Sequence, residues 1–362
     1  MIRKLSILDR SRTRQDHPAP QALRDTVALA RAAEGLGYHR FWVSEHHSVP
    51  GAAGSAPTVL AAAVAGATDR IRVGTGGVML PNHQPLVVAE QFGVLESLFP
   101  GRIDMGLGRS VGFTSGIRRA LGRDTGDADR FEEQLFELLG WFEGTQRAYP
   151  GVHARPAEGL RIPAYVLATG EGAGIAARAG LPLVVGDLRD RERVAGIVTA
   201  YRKEFRPSAR AAEPYVVVSG AVAVAATTEE ARRILLPEAW STAYSRTRGS
   251  FPALRPAEEI ESLEMSPRER DLYERALAGH IHGTEDRVAA ELSEIAELTG
   301  ADELLVTTST YDRTALLDSY TRLARIAGPP GWESGSADNR TSGARSLSGG
   351  TTQGRGATRS TA

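Results

Sequence analysis

The sequence contains no cysteine, and that absence removes disulfides, thiolate metal sites and cysteine nucleophiles together. Lysine is nearly missing as well. It occurs only at Lys4 and Lys203, so arginine carries almost all the positive charge and a catalytic Schiff base would have two candidates. Neither charge sign dominates: 43 Lys and Arg stand against 44 Asp and Glu. That balance argues against a nucleic-acid binder, which shows a basic excess or stripe. Long apolar runs are also absent. No stretch reaches the ~20 apolar residues of a membrane span, and the start MIRKLSILDRS lacks an apolar leader core. A cytoplasmic chain without a membrane partner is expected.

What is present is a rhythm. Short apolar runs fall at 5–8, 41–43, 71–73, 103–107, 164–167, 183–185, 216–224 and 304–306, with amphipathic stretches between them. ALRDTVALARAAEGLG places Leu23, Val27, Ala30, Ala33 and Leu36 on one helical face, and Gly37 reads as its stop. Eight strand-like runs with intervening helices imply a parallel sheet, and eight is the number that closes a (β/α)8 TIM barrel. An open doubly wound sheet is the alternative. Two connections, 112–163 and 228–299, are too long for the beat, the second broken up by Pro237, Pro252, Pro256 and Pro267, and predict insertions after strands 4 and 7. In a barrel they would lie on the C-terminal face, where active sites assemble. From 328 the chain turns to Gly, Ser, Thr and Arg with few apolar residues, too little burial to offset ordering entropy. One domain over 1–327 and a disordered tail over 328–362 are expected.

Several segments carry candidate chemistry. WVSEHHS (42–48) delivers Glu45, His46 and His47 to a strand's C-terminal end. Imidazole shuttles protons near neutral pH and an adjacent carboxylate fixes its tautomer; a hydrogen-bonded structural pair is an equal reading. Adjacent histidines lack the i, i+4 spacing of a zinc helix, so no metal site is assigned. Gly74, Gly76 and Gly77 in VGTGGVMLP suggest a bulge, or backbone pressed against a flat ligand, although a tight corner would do as well. Arg109, at the Gly-flanked end of GRIDMGLGRS, is a plausible anion clamp. Thr169 and the Gly170 amide in VLATGEGAG could receive phosphate at a helix start, or Thr169 could be a plain N-cap. Thr284 reads as an N-cap, while His280 and His282 receive no role.

Taken in order, FWVSEHH, IRVGTGGVMLPNHQPLVVAEQ, PGRIDMGLGRS, TGEGAGIAARAGLP and GTEDRVAAELSEIAELTGADELLVTT resemble the bacterial luciferase-like monooxygenase superfamily. The opening LSILDRS and the EHH doublet look more like its flavin-using members of secondary metabolism than its F420 reductases. The resemblance implies reduced FMN as co-substrate, supplied by a separate flavin reductase, with O2 and a small organic molecule as the other reactants. It places His46 beside the flavin as the catalytic residue, with Glu45 and His47 near the substrate pocket. A non-prolyl cis peptide behind the flavin ring is implied at Gly76–Gly77. Arg109 and Thr169 match phosphate-binding positions, with Ala168 and Gly170 beside them; Ala168 stands where luciferase itself is commonly acidic. The reactive cysteine of luciferase has no counterpart, so light emission is not expected. A homodimer is implied, with the helices around 57–98 as contact surfaces. F420-dependent hydride transfer, a non-catalytic flavin-binding partner subunit, and a metal hydrolase on a TIM barrel are the competing readings.

Overall fold

β-Branched and glycine-bearing runs of four to six residues alternate with helices, and each run lies parallel to its neighbours. In the computed structural model, which describes Ile2 and residues 4–328, the strands are β1 (Lys4–Asp9), β2 (Arg40–Val43), β3 (Arg72–Thr75), β4 (Val78–Met79), β5 (Ile103–Gly108), β6 (Ala164–Ala168), β7 (Leu183–Gly186), β8 (Val216–Gly220), β9 (Val222–Val224), β10 (Ile281–Gly283) and β11 (Glu303–Val306). The helices are α1 (Ala19–Gly35), α2 (Pro57–Gly66), α3 (Pro85–Leu98), α4 (Ser115–Ala120), α5 (Phe131–Glu143), α6 (Gly172–Ala179), α7 (Arg191–Glu204), α8 (Thr228–Arg248), α9 (Ala257–Glu261), α10 (Pro267–Leu277), α11 (Glu285–Thr299) and α12 (Arg313–Ala327). The sheet order is β3-β2-β1-β11-β8-β7-β6-β5, and β3 pairs with β5 through Val73–Ile103 and Gly74–Asp104. Eight parallel strands therefore close on themselves. The fold is the (β/α)8 barrel, and the open-sheet alternative is excluded. The tail expected over 328–362 lies, apart from Gly328, outside the described residues.

Side chains alternate along each strand, and of the three layers that point into the barrel two are filled. Nearest the N-terminal end, Arg40 bonds the buried carboxylates of Asp104 (Nη1–Oδ2, 2.7 Å) and Glu303 (Nε–Oε1, 2.8 Å). Arg72 and Tyr215 donate to the other oxygen of each carboxylate, and Trp42 and Ser6 donate to the oxygens that Arg40 bonds. Above that plug lies an apolar layer of Leu8, Trp42, Tyr165, Val184, Val217 and Leu305. The outward strand residues pack on the helices in the main core.

Three local readings need correction. The buried face of α1 is Ala22, Thr26, Ala30 and Ala33, while Leu23, Val27 and Leu36 lie at its edge. Thr26 takes a core place because its hydroxyl meets Ser11 Oγ at 2.9 Å and donates to the Ala22 carbonyl at 3.0 Å. The run 216–224 is two strands. The Thr308 hydroxyl meets the Val222 amide at 2.8 Å and its carbonyl at 2.6 Å, and the chain then pairs with β10 in a separate two-stranded sheet. Pro237, read as a break, sits inside α8. A proline there costs ~3 kcal/mol, offset by burial of Leu235, Leu236, Ala239 and Trp240.

Candidate active site

The third interior layer is where the packing stops. The inward positions that follow Leu8, Trp42, Val184 and Val217 are Arg10, Ser44, Gly186 and Ser219; Gly76 and Gly108 occupy the rim beside them. Apart from Arg10 these residues are small, and they leave a cavity of about 640 Å³ at the C-terminal face, within the range of small-molecule sites.

His46 reaches this cavity because β2 ends at Val43 and the chain turns. Its Nδ1 lies 3.1 Å from Ser44 Oγ. Burial first, then the nearby cations Arg10 and Arg12, push the imidazole down to about 4, so it is neutral at pH 7. Glu45 has no exposed side chain. Burial alone would raise its carboxyl, but hydrogen bonds from His83, the Met79 amide and His47 outweigh that and hold it below the ordinary range. Those contacts measure 3.0 Å to His83 Nε2, 2.9 Å to the Met79 amide and 2.8 Å to His47 Nε2. Glu45 thus ties the His46 turn to the segment following Gly77. His47 bonds Glu45 and does not itself line the cavity, and His83 shares the same carboxylate. The ligand-type atoms of Glu45, His47 and His83 lie within 4.8 Å of one another.

The peptide bond between Gly76 and Gly77 is cis. A Cβ on Gly76 would come within 2.7 Å of Leu8 Cδ1 and 3.1 Å of the Trp42 ring, so the cavity wall here is bare backbone. Next to this wall, β5 and then β6 end in Gly108 and Ala168, followed by Arg109, Thr169 and Gly170. Arg109 Nη1 contacts Glu171 at 2.5 Å and its Nη2 lies 3.4 Å from Asp129. Arg193, from α7, also lines the cavity and donates to the Thr169 carbonyl. The N-cap position of α6 is Glu171, not Thr169, which leaves the Thr169 hydroxyl uncommitted to the helix. Thr284 does hold the N-cap position of α11, but its side chain makes no capping bond.

One cavity therefore collects Glu45, His46, Gly76, Gly77, Arg109, Ala168, Thr169 and Gly170, and leaves out His47. Sequence reasoning missed Arg10, Ser44, His83 and Arg193. Alternation from Leu8 and Trp42 could have found the first two. His83 and Arg193 arrive only through tertiary closure.

A family model described as luciferase-like monooxygenase matches residues 3–324. This chain belongs to the luciferase-like monooxygenase family. A luciferase-like monooxygenase of Escherichia coli (strain K12) is 36% identical over 319 residues, covering 87% of this chain and 94% of its own. An N-acetyl-S-alkylcysteine monooxygenase of Bacillus subtilis is 45% identical over 161 residues, 43% of this chain and 48% of its own. The crystal structure of apo-MsnO8 superposes with a TM-score of 0.79 at 30% identity, covering 90% of this chain and 98% of that one. As a member of a monooxygenase family the chain is an oxidoreductase acting on a small molecule. Among the described residues no helix is long and apolar enough to cross a membrane.

Proposed function

We propose that the chain is a cytoplasmic monooxygenase that takes reduced FMN from a separate flavin reductase and uses O2 to oxygenate a small organic substrate. The observation that carries this reading is the polarity of the cavity, whose lining combines the guanidiniums of Arg109 and Arg193, bare backbone at Gly76–Gly77, and the neutral imidazole of His46. The residues suit the group. Arg109 and Arg193 with the Thr169 hydroxyl and the Gly170 amide form a donor set for a phosphate, and a wall without side chains admits a flat ring.

Reduced FMN, when bound, supplies the electron pair that activates O2. The chain's own residues bind, orient and exclude water. His46, neutral at pH 7, holds or takes a proton at its imidazole. Glu45 fixes the turn that presents it, and Leu8, Leu167 and Val184 keep water from the cavity floor. The two long insertions meet where Phe113 and Phe251 lie 6.0 Å apart, and we assign them the substrate pocket and lid.

We further assign α2 and α3 as the homodimer surface, because Val59, Val87, Val94 and Leu98 expose apolar side chains there. Leu98→Glu should then shift the chain from dimer to monomer in analytical ultracentrifugation; an unchanged mass would refute that face.

The test of function uses the purified chain alone, a flavin reductase, FMN, and mass spectrometry of candidate substrates. Reductase-dependent transfer of oxygen to a substrate supports the reading. Turnover with F420 and no oxygen transfer would favour hydride transfer on the same barrel. Activity appearing only with a second subunit would make this chain a flavin-binding partner.

A further inference from the structure

The cavity has a second cationic side that the flavin reading does not use. Arg10 follows Leu8 by two residues, just past the end of β1, and its side chain lines the rim together with Ser44 and His46. Its Nη2 donates to the Thr307 carbonyl at 2.6 Å and its Nη1 meets Glu238 at 2.9 Å. Its Nε is enclosed by protein and has no partner. A buried N–H without an acceptor is costly and uncommon; the Nε itself is sealed, and it is the 24% of the Arg10 side chain left exposed that faces a cavity large enough for a ligand.

The charge count points the same way. Arg12 contacts the same carboxylate, with Nη1 3.2 Å from each oxygen of Glu238. Arg12 is also bound by the Gly51 and Pro252 carbonyls and the Ser241 hydroxyl. Two guanidiniums therefore share one buried carboxylate. Of the neighbouring acids, Glu45 is committed to His47 and His83 and Asp187 to Arg189. Asp9, the other carboxyl near Arg10, accepts from the Ser11 amide and the Thr26 hydroxyl and is pushed up by burial towards its neutral form. A role as a tie between β1 and α8 does not account for Arg10, since Arg12 already makes that tie through Glu238 and Ser241.

We propose, resting on the monooxygenase reading, that Arg10 forms an anion-binding pole for the organic substrate and that the enzyme takes small organic acids. Their carboxylate accepts from the Arg10 guanidinium beside His46, while the remainder of the acid lies along the cavity towards the bare Gly76–Gly77 wall. The pole is separate from the phosphate donors Arg109 and Arg193 on strands and helices of the other side.

The test is equilibrium binding, independent of turnover. The full chain, with and without saturating FMN, is titrated by calorimetry against benzoate, octanoate, 3-(methylthio)propionate and N-acetyl-S-methylcysteine. Each acid is paired with its primary amide. At least one acid should bind ten-fold or more tightly than its amide. Arg10→Gln should abolish that preference while leaving FMN affinity unchanged, and Arg109→Gln should retain it. Arg10→Lys, which keeps a cation opposite Glu238, serves if Arg10→Gln does not fold, and should weaken acid binding several-fold.

The pole is overturned if no acid binds, if acids and amides bind alike, if either Arg10 variant keeps the full preference, or if Arg109→Gln removes it. The cofactor reading is judged separately: failure of reduced FMN to bind in an anaerobic titration refutes that reading, whereas the acid-to-amide ratio judges only Arg10.

Discussion

Removing the negative charge of Glu171 should tighten the binding of FMN, and only of flavins that carry a phosphate. Glu171 Oε2 lies 2.5 Å from Arg109 Nη1 with 84% of its side chain exposed, so it competes for the guanidinium assigned to the phosphate. It makes no side-chain cap to α6, and Glu171→Gln therefore removes the competing charge without undoing a capping bond. Exposed ion pairs are worth ~0.2–1 kcal/mol, which corresponds to about 1.4- to 5-fold in affinity. The assay is fluorescence titration of the wild type and Glu171→Gln with FMN and riboflavin in parallel, at low salt and at high salt. FMN should tighten within that range at low salt, riboflavin should not change, and screening should erase the difference at high salt. Equal tightening of riboflavin and FMN, or weaker FMN binding, would refute the placement of the phosphate at Arg109.

His46→Ala should leave FMN affinity within about two-fold and lower oxygen transfer by ~100-fold or more, the scale of a lost proton-transfer group; unchanged turnover measured by product mass spectrometry would remove His46 from the chemistry. Arg40→Met leaves the Asp104 and Glu303 carboxylates without the cation between them. Losing one partner of a buried pair costs ~3–5 kcal/mol, so calorimetry should show a lower Tm by roughly 5–15 °C. Acid should destabilise the fold before it strips activity groups individually. His39, His46 and His280 are each pushed down to about 4, chiefly by burial. Between pH 4 and about 6.5 the unfolded chain holds protons that the folded chain refuses. Stability therefore falls as pH drops through that window, by several kcal/mol, ~3 per fully shifted histidine at most. Depressed Glu45, Asp104 and Glu238 act in the same direction at lower pH, and raised Asp9 acts against them. Urea titrations at pH 7 and pH 5 showing equal stability would contradict this.

The barrel was legible because its causes are local and periodic. Each strand run carries its own apolar and glycine signature, and the count of eight left few closures. The cavity was legible at Glu45, His46, Gly76, Gly77 and Arg109 because strand ends in a barrel converge on one face. Residues that enter from helices were not. Arg193 comes from α7, twenty-four positions after the Thr169 carbonyl it bonds, and Glu238 comes from the middle of α8 to meet Arg10 and Arg12. No spacing rule links those positions. The split of 216–224 escaped for a related reason: a side chain, Thr308, takes over backbone bonds of Val222 that a neighbouring strand would otherwise hold. Pro237 misled because its cost is local while the burial that offsets it is tertiary. His47 was placed with its neighbour, but its imidazole bonds the buried Glu45 carboxylate and does not line the cavity.

The most direct test of the central claim is an anaerobic titration of the full chain with chemically reduced FMN, riboflavin and reduced F420. The flavin reading predicts one reduced FMN bound per chain, riboflavin at least ten-fold weaker, and F420 weaker still. Tighter binding of F420, or no discrimination between FMN and riboflavin, would contradict it.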